Sequence, residues 1–409
     1  MILKRAREKN LTITILGMGY IGLPTGIAFA RAGFTVYGFD VNKDVISTLK
    51  GGKIHIVEPD LQEAYEEALQ SKRLIPTEKL EKSDVYIIAV PTPFKQNEEQ
   101  KIADLKYVES ASKMVGEILE ENNLVILEST VPPMTTKLMT DILEETSGIG
   151  REKFMSVHCP ERVLPGKILY ELEHNDRIIG AERYEAAEVA KTIYDAMVKE
   201  GTCFITDDIT AEMCKLVENT FRDVNIAFAN ELSVICDKLN INVFELIKLA
   251  NKHPRVNILT PGAGVGGHCL AVDPWFIVEK FPNEANVIRE ARLVNDYKPR
   301  FIVERVEKIL EKNKEIVIGI LGLAYKPDID DLRESPAMEI AEILRDKGYK
   351  VIACEPNVKT LEVNKIQLYT LEDIIEEADY LVLAQGHTEF KNKITKLRNK
   401  KIYDCIGVI

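Results

Sequence analysis

The chain has 409 residues, 45% hydrophobic and 29% charged, with a formal net charge of -12. That length exceeds one ordinary core and predicts two or three domains, and the composition is that of a folded enzyme and not of a disordered or membrane-embedded chain. The acidic balance argues against a nucleic-acid partner, and no apolar run approaches the roughly 18 residues needed to span a bilayer.

The early basic residues lack an apolar stretch behind them, so they do not read as a secretion signal. Seven cysteines, at 159, 203, 214, 236, 269, 354 and 405, are odd in number and contain no C-x-x-C. Reduced thiols in a cytoplasmic protein are therefore expected in place of a disulfide framework. Two His-Cys pairs lack zinc spacing, and no metal site is expected.

Residues 11–16 (L-T-I-T-I-L) predict a buried strand that runs into Gly17-Met-Gly19-Tyr20-Ile21-Gly22. A helix over 23–32 and a second strand over 34–39, ending at Asp40, complete the unit. Glycines in G-x-G-x-x-G order admit a pyrophosphate to the helix N-terminus, with Tyr20 and Ile21 lining the turn. Asp40 is placed to accept from the adenine ribose hydroxyls and would repel a 2′-phosphate, which favours NAD over NADP. Strands over 85–90 and 124–127 end in Pro91-Thr92-Pro93 and Glu128-Ser129-Thr130-Val131-Pro132-Pro133. Ligands bind at the carboxyl ends of parallel strands, so Thr92, Ser129 and Thr130 face the nicotinamide side. A further strand over 154–157 leads into a loop where Glu161 is a candidate base and Arg162 a candidate anion contact.

Residues 209–239 give the longest helical pattern, with an apolar stripe of Met213, Leu216, Val217, Thr220, Val224, Ala227, Phe228, Leu232 and Ile235. Lys215, Asn219 and Arg222 fall on the opposite face, which pattern alone reads as solvated. A second helix over 243–251 leads to residues 253–257 and then to P-G-A-G-V-G-G-H-C-L-A-V-D-P-W at 261–275. Glycines let backbone N–H groups approach a reacting centre, and a cysteine ending such a loop gains nucleophilicity as its thiolate. A plain turn with a small cysteine fits the same letters, and other residues must decide between the two.

The last third predicts a strand over 315–321, a helix over 337–347 and a strand ending at Glu355. The spacing Gly33 to Asp40 repeats as Gly348 to Glu355, and residues 83–89 resemble 378–384. A second Rossmann-like domain is expected. Its glycines, Gly319 and Gly322, lack the dinucleotide order and suit a mononucleotide part. The whole reads as an α/β chain: two Rossmann-like doubly wound domains (1–205 and 301–409) joined by a central helical domain (206–300).

Together G-x-G-Y-I-G-L-P at 17–24, P-T-P at 91–93, S-T-V-P-P at 129–133, G-V-G-G-H-C at 264–269 and Y-K-P-x-x-D-D-x-R-E-S at 325–335 resemble the UDP-glucose/GDP-mannose dehydrogenase family over essentially the full length. Residues 159–166 and 253–269, including His268, look like the branch that oxidises UDP-N-acetyl-D-mannosamine. The resemblance implies two-step, NAD-dependent oxidation of a UDP-sugar at C6 through a thiohemiacetal and thioester on Cys269. It implies Lys215, with a burial-lowered pKa, as base, Lys215 and Asn219 as oxyanion contacts, and Asp273 and Glu161 as groups that place or activate water. Arg162, Val163, Asn219, Arg222, Gly266, Tyr325 and Lys326 look like sugar-nucleotide contacts, joined by His253 and Arg255 from a loop that reaches a neighbouring subunit. Arg333 looks like a contact to the cofactor pyrophosphate. The same resemblance implies a homodimer or a dimer-based oligomer.

Overall fold

Runs of Val, Ile and Leu that are apolar on both faces can be buried only between helices, and two such sets form two separate parallel sheets. The computed structural model describes residues 2–96, 101–164, 166–267 and 269–409. The first sheet contains β1 (Thr12–Leu16), β2 (Thr35–Phe39), β3 (Leu74–Thr77), β4 (Val85–Ile88), β5 (Leu124–Leu127), β6 (Met155–His158), β7 (Arg177–Gly180) and β8 (Cys203–Thr206). Its order is β3-β2-β1-β4-β5-β6-β7-β8, parallel except at β6–β7. The order reverses between β1 and β4, which opens a crevice at the strands' carboxyl ends. The second sheet contains β9 (Val317–Leu321), β10 (Lys350–Cys354), β11 (Glu362–Val363), β12 (Ile366–Leu368), β13 (Tyr380–Leu383) and β14 (Ile402–Asp404), in the order β11-β12-β10-β9-β13-β14. It is parallel except for the β11–β12 pair.

The internal repeat is visible in hydrogen bonds as well as in topology. Asp84, at the start of β4, accepts the Thr12 N–H at 2.9 Å, and Asp379, at the start of β13, accepts the Val317 N–H at 2.8 Å. Gly17 N–H donates to the Phe39 carbonyl and Gly322 N–H to the Cys354 carbonyl, both at 2.9 Å. The copies part company at the next acid. Asp40 accepts from the N–H groups of Met18 and Asn42, each at 2.8 Å, and stays half-buried. Glu355 is buried, takes the N–H groups of Leu323 and Ala324 at 2.7 and 2.9 Å, and lies 3.1 Å from His387 Nε2. The helix Pro336–Asp346 is moreover closed by its Ser335 cap and begins with a proline that has no N–H to offer. These features remove the open helix terminus that a dinucleotide pyrophosphate needs.

The long helix Asp208–Leu239 starts where expected, with the Asp207 carboxylate capping the Thr210 N–H at 2.8 Å. Its apolar stripe does not behave as periodicity predicts. Leu216, Thr220 and Ala227 are buried, but Val217 and Phe228 are each 50% exposed and Ile235 is exposed too; Phe221, next to the stripe, is 67% exposed. The face read as solvated is the one that sinks inward at Asn219, which is 7% exposed, while Arg222 does stay exposed. The helix turns polar side chains into its own chain and leaves aromatic ones outside. Two structural units divide within this helix, one up to Val217 and one from Glu218 onwards.

Candidate active site

In the first unit the glycine loop is built for a ligand. A Cβ on Gly17, whose φ is +96°, would stand 2.4 Å from the Ala89 carbonyl oxygen, and one on Gly22 would stand 1.8 Å from the Gly17 carbonyl oxygen. Both positions therefore need glycine to close the turn. Gly19 differs: a Cβ there would meet nothing within 4 Å, so its missing side chain leaves open space. The helix Gly22–Ala32 that follows has Ile21 at its N-cap, with no side-chain cap; Leu23 N–H donates to the Gly19 carbonyl at 3.1 Å and Pro24 has no N–H, so the turn itself and the Gly22 N–H are what this terminus offers an anion. Tyr20 is exposed at the turn. This loop and Asp40 fit a dinucleotide. Gly22→Ala is expected to weaken NAD binding more than tenfold, read by fluorescence titration; unchanged affinity would show that the turn can be rebuilt around the clash.

The two loops beyond β4 and β5 are stitched to each other. Thr92 Oγ1–H donates to the Thr130 carbonyl at 2.7 Å, and Ser129 Oγ accepts the Val90 N–H at 2.9 Å. Glu212, buried on the long helix one turn before Lys215, accepts the N–H groups of Met134 and Thr136 at 2.6 and 2.7 Å. It thereby ties the start of that helix, where Lys215 is half-buried, to the loop carrying Thr130.

Glu161 is buried, not free. Its carboxylate accepts the Arg162 N–H at 2.6 Å and Arg177 Nη2 at 2.9 Å. Arg177 Nη1 lies 3.6 Å from Glu128, and the guanidinium sits 4.8 Å from the centre of the Tyr194 ring. Burial, then the nearby Glu161, push the Glu128 carboxyl up to about 8, against the pull of Arg177. Arg162 reaches the Asp176 carbonyl at 3.0 Å, and Val163 packs on the core of this unit. Glu58 grips the end of the same loop, accepting from Gly166 N–H at 2.9 Å and Ile168 N–H at 2.8 Å. Arg177 and Glu58 carry no motif that sequence reading could have used.

In the second unit Cys269 is exposed, and its carbonyl accepts the Asp273 N–H at 2.8 Å as the helix Asp273–Lys280 begins. Asn219 Nδ2 donates to Asp273 Oδ2 at 2.5 Å, both groups being buried. The structure thus joins two predicted site residues from segments 54 positions apart. Gly266 and Gly267 pass so close to the Tyr325 loop that added Cβ atoms would stand 2.3 Å from the Glu334 carbonyl oxygen and 2.7 Å from the Tyr325 ring. Tyr325 and Lys326 are half-buried beside this loop, whereas Arg333 is exposed and forks onto Asp331 at 2.8 and 2.7 Å. His253 and Arg255 stand exposed in their own loop, and Arg255 lines a groove of about 340 Å³ with Phe221, Val224, Phe228 and Ile258. Among the described residues their hydrogen bond is a local one, Arg255 N–H donating to His253 Nδ1 at 3.3 Å. His268 lies outside the described residues.

An exposed cysteine at the end of a clamped glycine loop, beside a buried amide–carboxylate pair, suits covalent chemistry on a polar substrate. Among the described residues no helix is long and apolar enough to cross a membrane. Comparison with known proteins agrees in outline with the architecture. The NAD binding, central and UDP binding domains of the UDP-glucose/GDP-mannose dehydrogenase family match residues 11–198, 209–297 and 319–409. The chain is 49% identical to the UDP-N-acetyl-D-mannosamine dehydrogenase of Campylobacter jejuni, over 92% of this chain and 96% of that protein. It is 46% identical to an NDP-N-acetyl-D-galactosaminuronic acid dehydrogenase of Ralstonia nicotianae, covering 97% and 96%. The solved UDP-D-ManNAc dehydrogenase of Pyrococcus horikoshii superposes with a TM-score of 0.89 at 41% identity, covering 97% of this chain and 96% of the other.

Proposed function

Because this chain belongs to the UDP-glucose/GDP-mannose dehydrogenase family, we propose that it oxidises the C6 alcohol of UDP-N-acetyl-D-mannosamine to a carboxylate, consuming two NAD and one water. The observation that carries this reading is Cys269, exposed at the end of its clamped loop and hydrogen-bonded through its own turn to the Asn219–Asp273 pair. NAD, bound along the Gly17–Gly22 loop and Asp40, supplies the acceptor for each hydride. Lys215 takes the C6 hydroxyl proton as the first hydride leaves, giving the aldehyde, and Lys215 with Asn219 steadies the developing oxyanion. Cys269 thiolate then forms a bond to C6, and the resulting thiohemiacetal loses its C6 hydride to become a thioester. Water adds to C6, the C6–S bond breaks, the thiolate is restored and the uronate leaves. Glu161 and Asp273 hold or deprotonate that water. Arg162, Val163, Arg222, Gly266, Tyr325 and Lys326 contact the sugar nucleotide, and Arg333 contacts the cofactor pyrophosphate.

The domains proposed are a cofactor domain at 1–205, a cysteine-bearing helical domain at 206–300 and a UDP-sugar domain at 301–409. The family matches fall within these bounds. A cytoplasmic enzyme is supported by the odd number of cysteines, seven, and by the nucleotide nature of the substrates. A homodimer is supported by the aromatic face of the long helix, where a second copy would cover Phe221 and Phe228 and meet the Arg255 loop. Phe221→Glu with Phe228→Glu is expected to run as a monomer in light scattering, with weakened substrate binding because His253 and Arg255 act across the seam. A double variant that remains dimeric would place the seam elsewhere.

The direct test is NADH formed per molecule of limiting UDP-N-acetyl-D-mannosamine, followed by absorbance. Two NADH are expected, with UDP-N-acetylglucosamine and UDP-glucose turned over at least tenfold more slowly. One NADH would mean that oxidation stops at the aldehyde. The 46% identity to an NDP-N-acetyl-D-galactosaminuronic acid dehydrogenase favours a second reading, the same chemistry on another 2-acetamido sugar. Faster turnover of UDP-N-acetylgalactosamine would select it.

A further inference from the structure

Four polar side chains to which the reaction gives no role are sealed between the long helix and the helix Asn286–Ile309. Asp223, Asn230, Arg292 and Asn295 are each no more than 1% exposed. They form one continuous chain of hydrogen bonds. Arg292 Nη1 donates to Asp223 Oδ1 at 2.5 Å, and Asn295 Nδ2 donates to the same oxygen at 2.8 Å and to the Asp223 carbonyl at 3.1 Å. Asn230 Nδ2 donates to Asn295 Oδ1 at 2.9 Å. Arg292 also reaches Asp296. The chain ends on the main chain of the cysteine loop: Asn230 Oδ1 accepts the Gly262 N–H at 2.9 Å. Two residues further on, a Cβ on Gly264 would stand 3.3 Å from the Asn295 carbonyl oxygen and 2.9 Å from Pro336 Cβ, at a φ of +146°.

Stability alone does not call for this arrangement, because well-packed apolar residues often fill such a space at least as favourably as a buried ion pair. What an apolar core lacks is direction. Each amide here uses its donor on one neighbour and its acceptor on another, so turning one over would leave a buried partner unsatisfied. The Gly262 N–H is therefore held at one place relative to both helices. At the far end of the loop the Tyr325 ring presses against Gly267.

We infer that Asn230, oriented by Asn295 and the Asp223–Arg292 pair, is a positioning residue for Cys269: it fixes the foot of the loop from which the thiolate attacks C6. The inference rests on the reading of Cys269 as nucleophile. A reacting atom misplaced by about 1 Å costs on the order of a hundredfold in rate, so the effect belongs in kcat and not in nucleotide affinity.

The full-length enzyme is compared with Asn230→Ala, Asn295→Ala and Asn230→Asp. Measured are kcat, UDP affinity by calorimetry, and the rate of Cys269 carboxamidomethylation by iodoacetamide, read by peptide mass spectrometry. The alanine variants are expected to lose about 30- to 100-fold in kcat with UDP affinity within about threefold, and to alter Cys269 labelling at least threefold. Asn230→Asp keeps an acceptor for the Gly262 N–H but sets a carboxylate oxygen against Asn295 Oδ1 where a donor stood, and is expected to fall with the alanine variants. Unchanged kcat together with unchanged labelling overturns the inference, as does a loss shared equally between kcat and UDP affinity. Altered labelling with unchanged kcat leaves the anchor standing and removes Cys269 from the chemistry. If Asn230→Ala does not fold, Asn230→Ser, whose shorter hydroxyl cannot span the same gap, is judged by the same readings.

Discussion

Cys269→Ser is expected to lower turnover to the uronate by about a thousandfold or more, while UDP and NAD still bind. The second oxidation needs a tetrahedral carbon that carries both a hydrogen and a heteroatom from the enzyme. A thiolate supplies that atom because a cysteine ordinarily titrates near 8.5 and at a suitable site carries substantial charge at neutral pH. A serine hydroxyl is essentially un-ionised there, and its ester would leave less readily than a thioester. The structure removes the usual ambiguity of such a variant. Cys269 is exposed, so its packing contributes little, and the Asp273 N–H binds the residue 269 carbonyl, which serine retains. Asn219 still donates to Asp273. The measurement is NADH per UDP-N-acetyl-D-mannosamine over many turnovers, alongside the uronate by mass spectrometry. Two NADH per substrate at a rate near that of the wild type would sink the covalent route. One NADH at an undiminished rate, with no uronate, would confine Cys269 to the second oxidation, as the relay requires.

Strands and the cofactor loop were legible in the sequence because their causes are local. β1, β4, β5 and β9 are largely apolar on both faces, and the crowding that demands glycine at 22 comes from the Gly17 carbonyl that the turn itself brings close, whereas Gly17 is crowded by Ala89 at the end of a neighbouring strand. The Asp84 and Asp379 positions were visible as a repeat, although their shared task, holding the first strand of each sheet by its N–H, was not. The long helix misled in a specific way. Periodicity locates an apolar face but not what covers it, and here that face carries exposed Phe221 and Phe228 while Asn219, Asp223 and Asn230 turn inward. A helix whose hydrophobic side stays exposed in its own chain inverts the usual inference from amphipathicity.

The residues that sequence reading missed are those whose partners lie far along the chain. Glu58 holds Gly166 across 108 positions, Asn230 holds Gly262 across 32, and Arg177 holds Glu161 across 16. Each is an ordinary polar residue until the fold supplies its partner. Candidate chemistry was found because reacting groups cluster in motifs; the groups that orient them follow no spacing rule.

Arg177→Met is expected to cost about 3–5 kcal/mol of stability above pH 9, because it leaves Glu128 and Glu161 buried without their shared cation. Methionine keeps much of the apolar stem, so what is removed is the charge and the guanidinium that lies over the Tyr194 ring. The pH dependence identifies the cause. Burial and Glu161 already hold the Glu128 carboxyl up to about 8, and Arg177 is what pulls it down. An acid with a raised folded pKa keeps, in the native state, a proton that the unfolded chain sheds above its ordinary value of 4.5, so stability falls as pH climbs from there towards the folded value. Removing Arg177 raises that folded value further and extends the falling window upward. Wild type and variant lose this stability together up to about 8 and part above it, so the deficit should be small near pH 7 and large above pH 9, measured as urea midpoints at both. Adding Glu128→Gln removes the second carboxylate and should restore much of the loss, the two sites being in contact and so non-additive. An equal deficit at both pH values, or no recovery in the double variant, would mean that Arg177 acts through packing and not through charge. Recovery of stability without recovery of turnover would separate neutralising the pocket from the role proposed for Glu161, placing the water that releases the uronate.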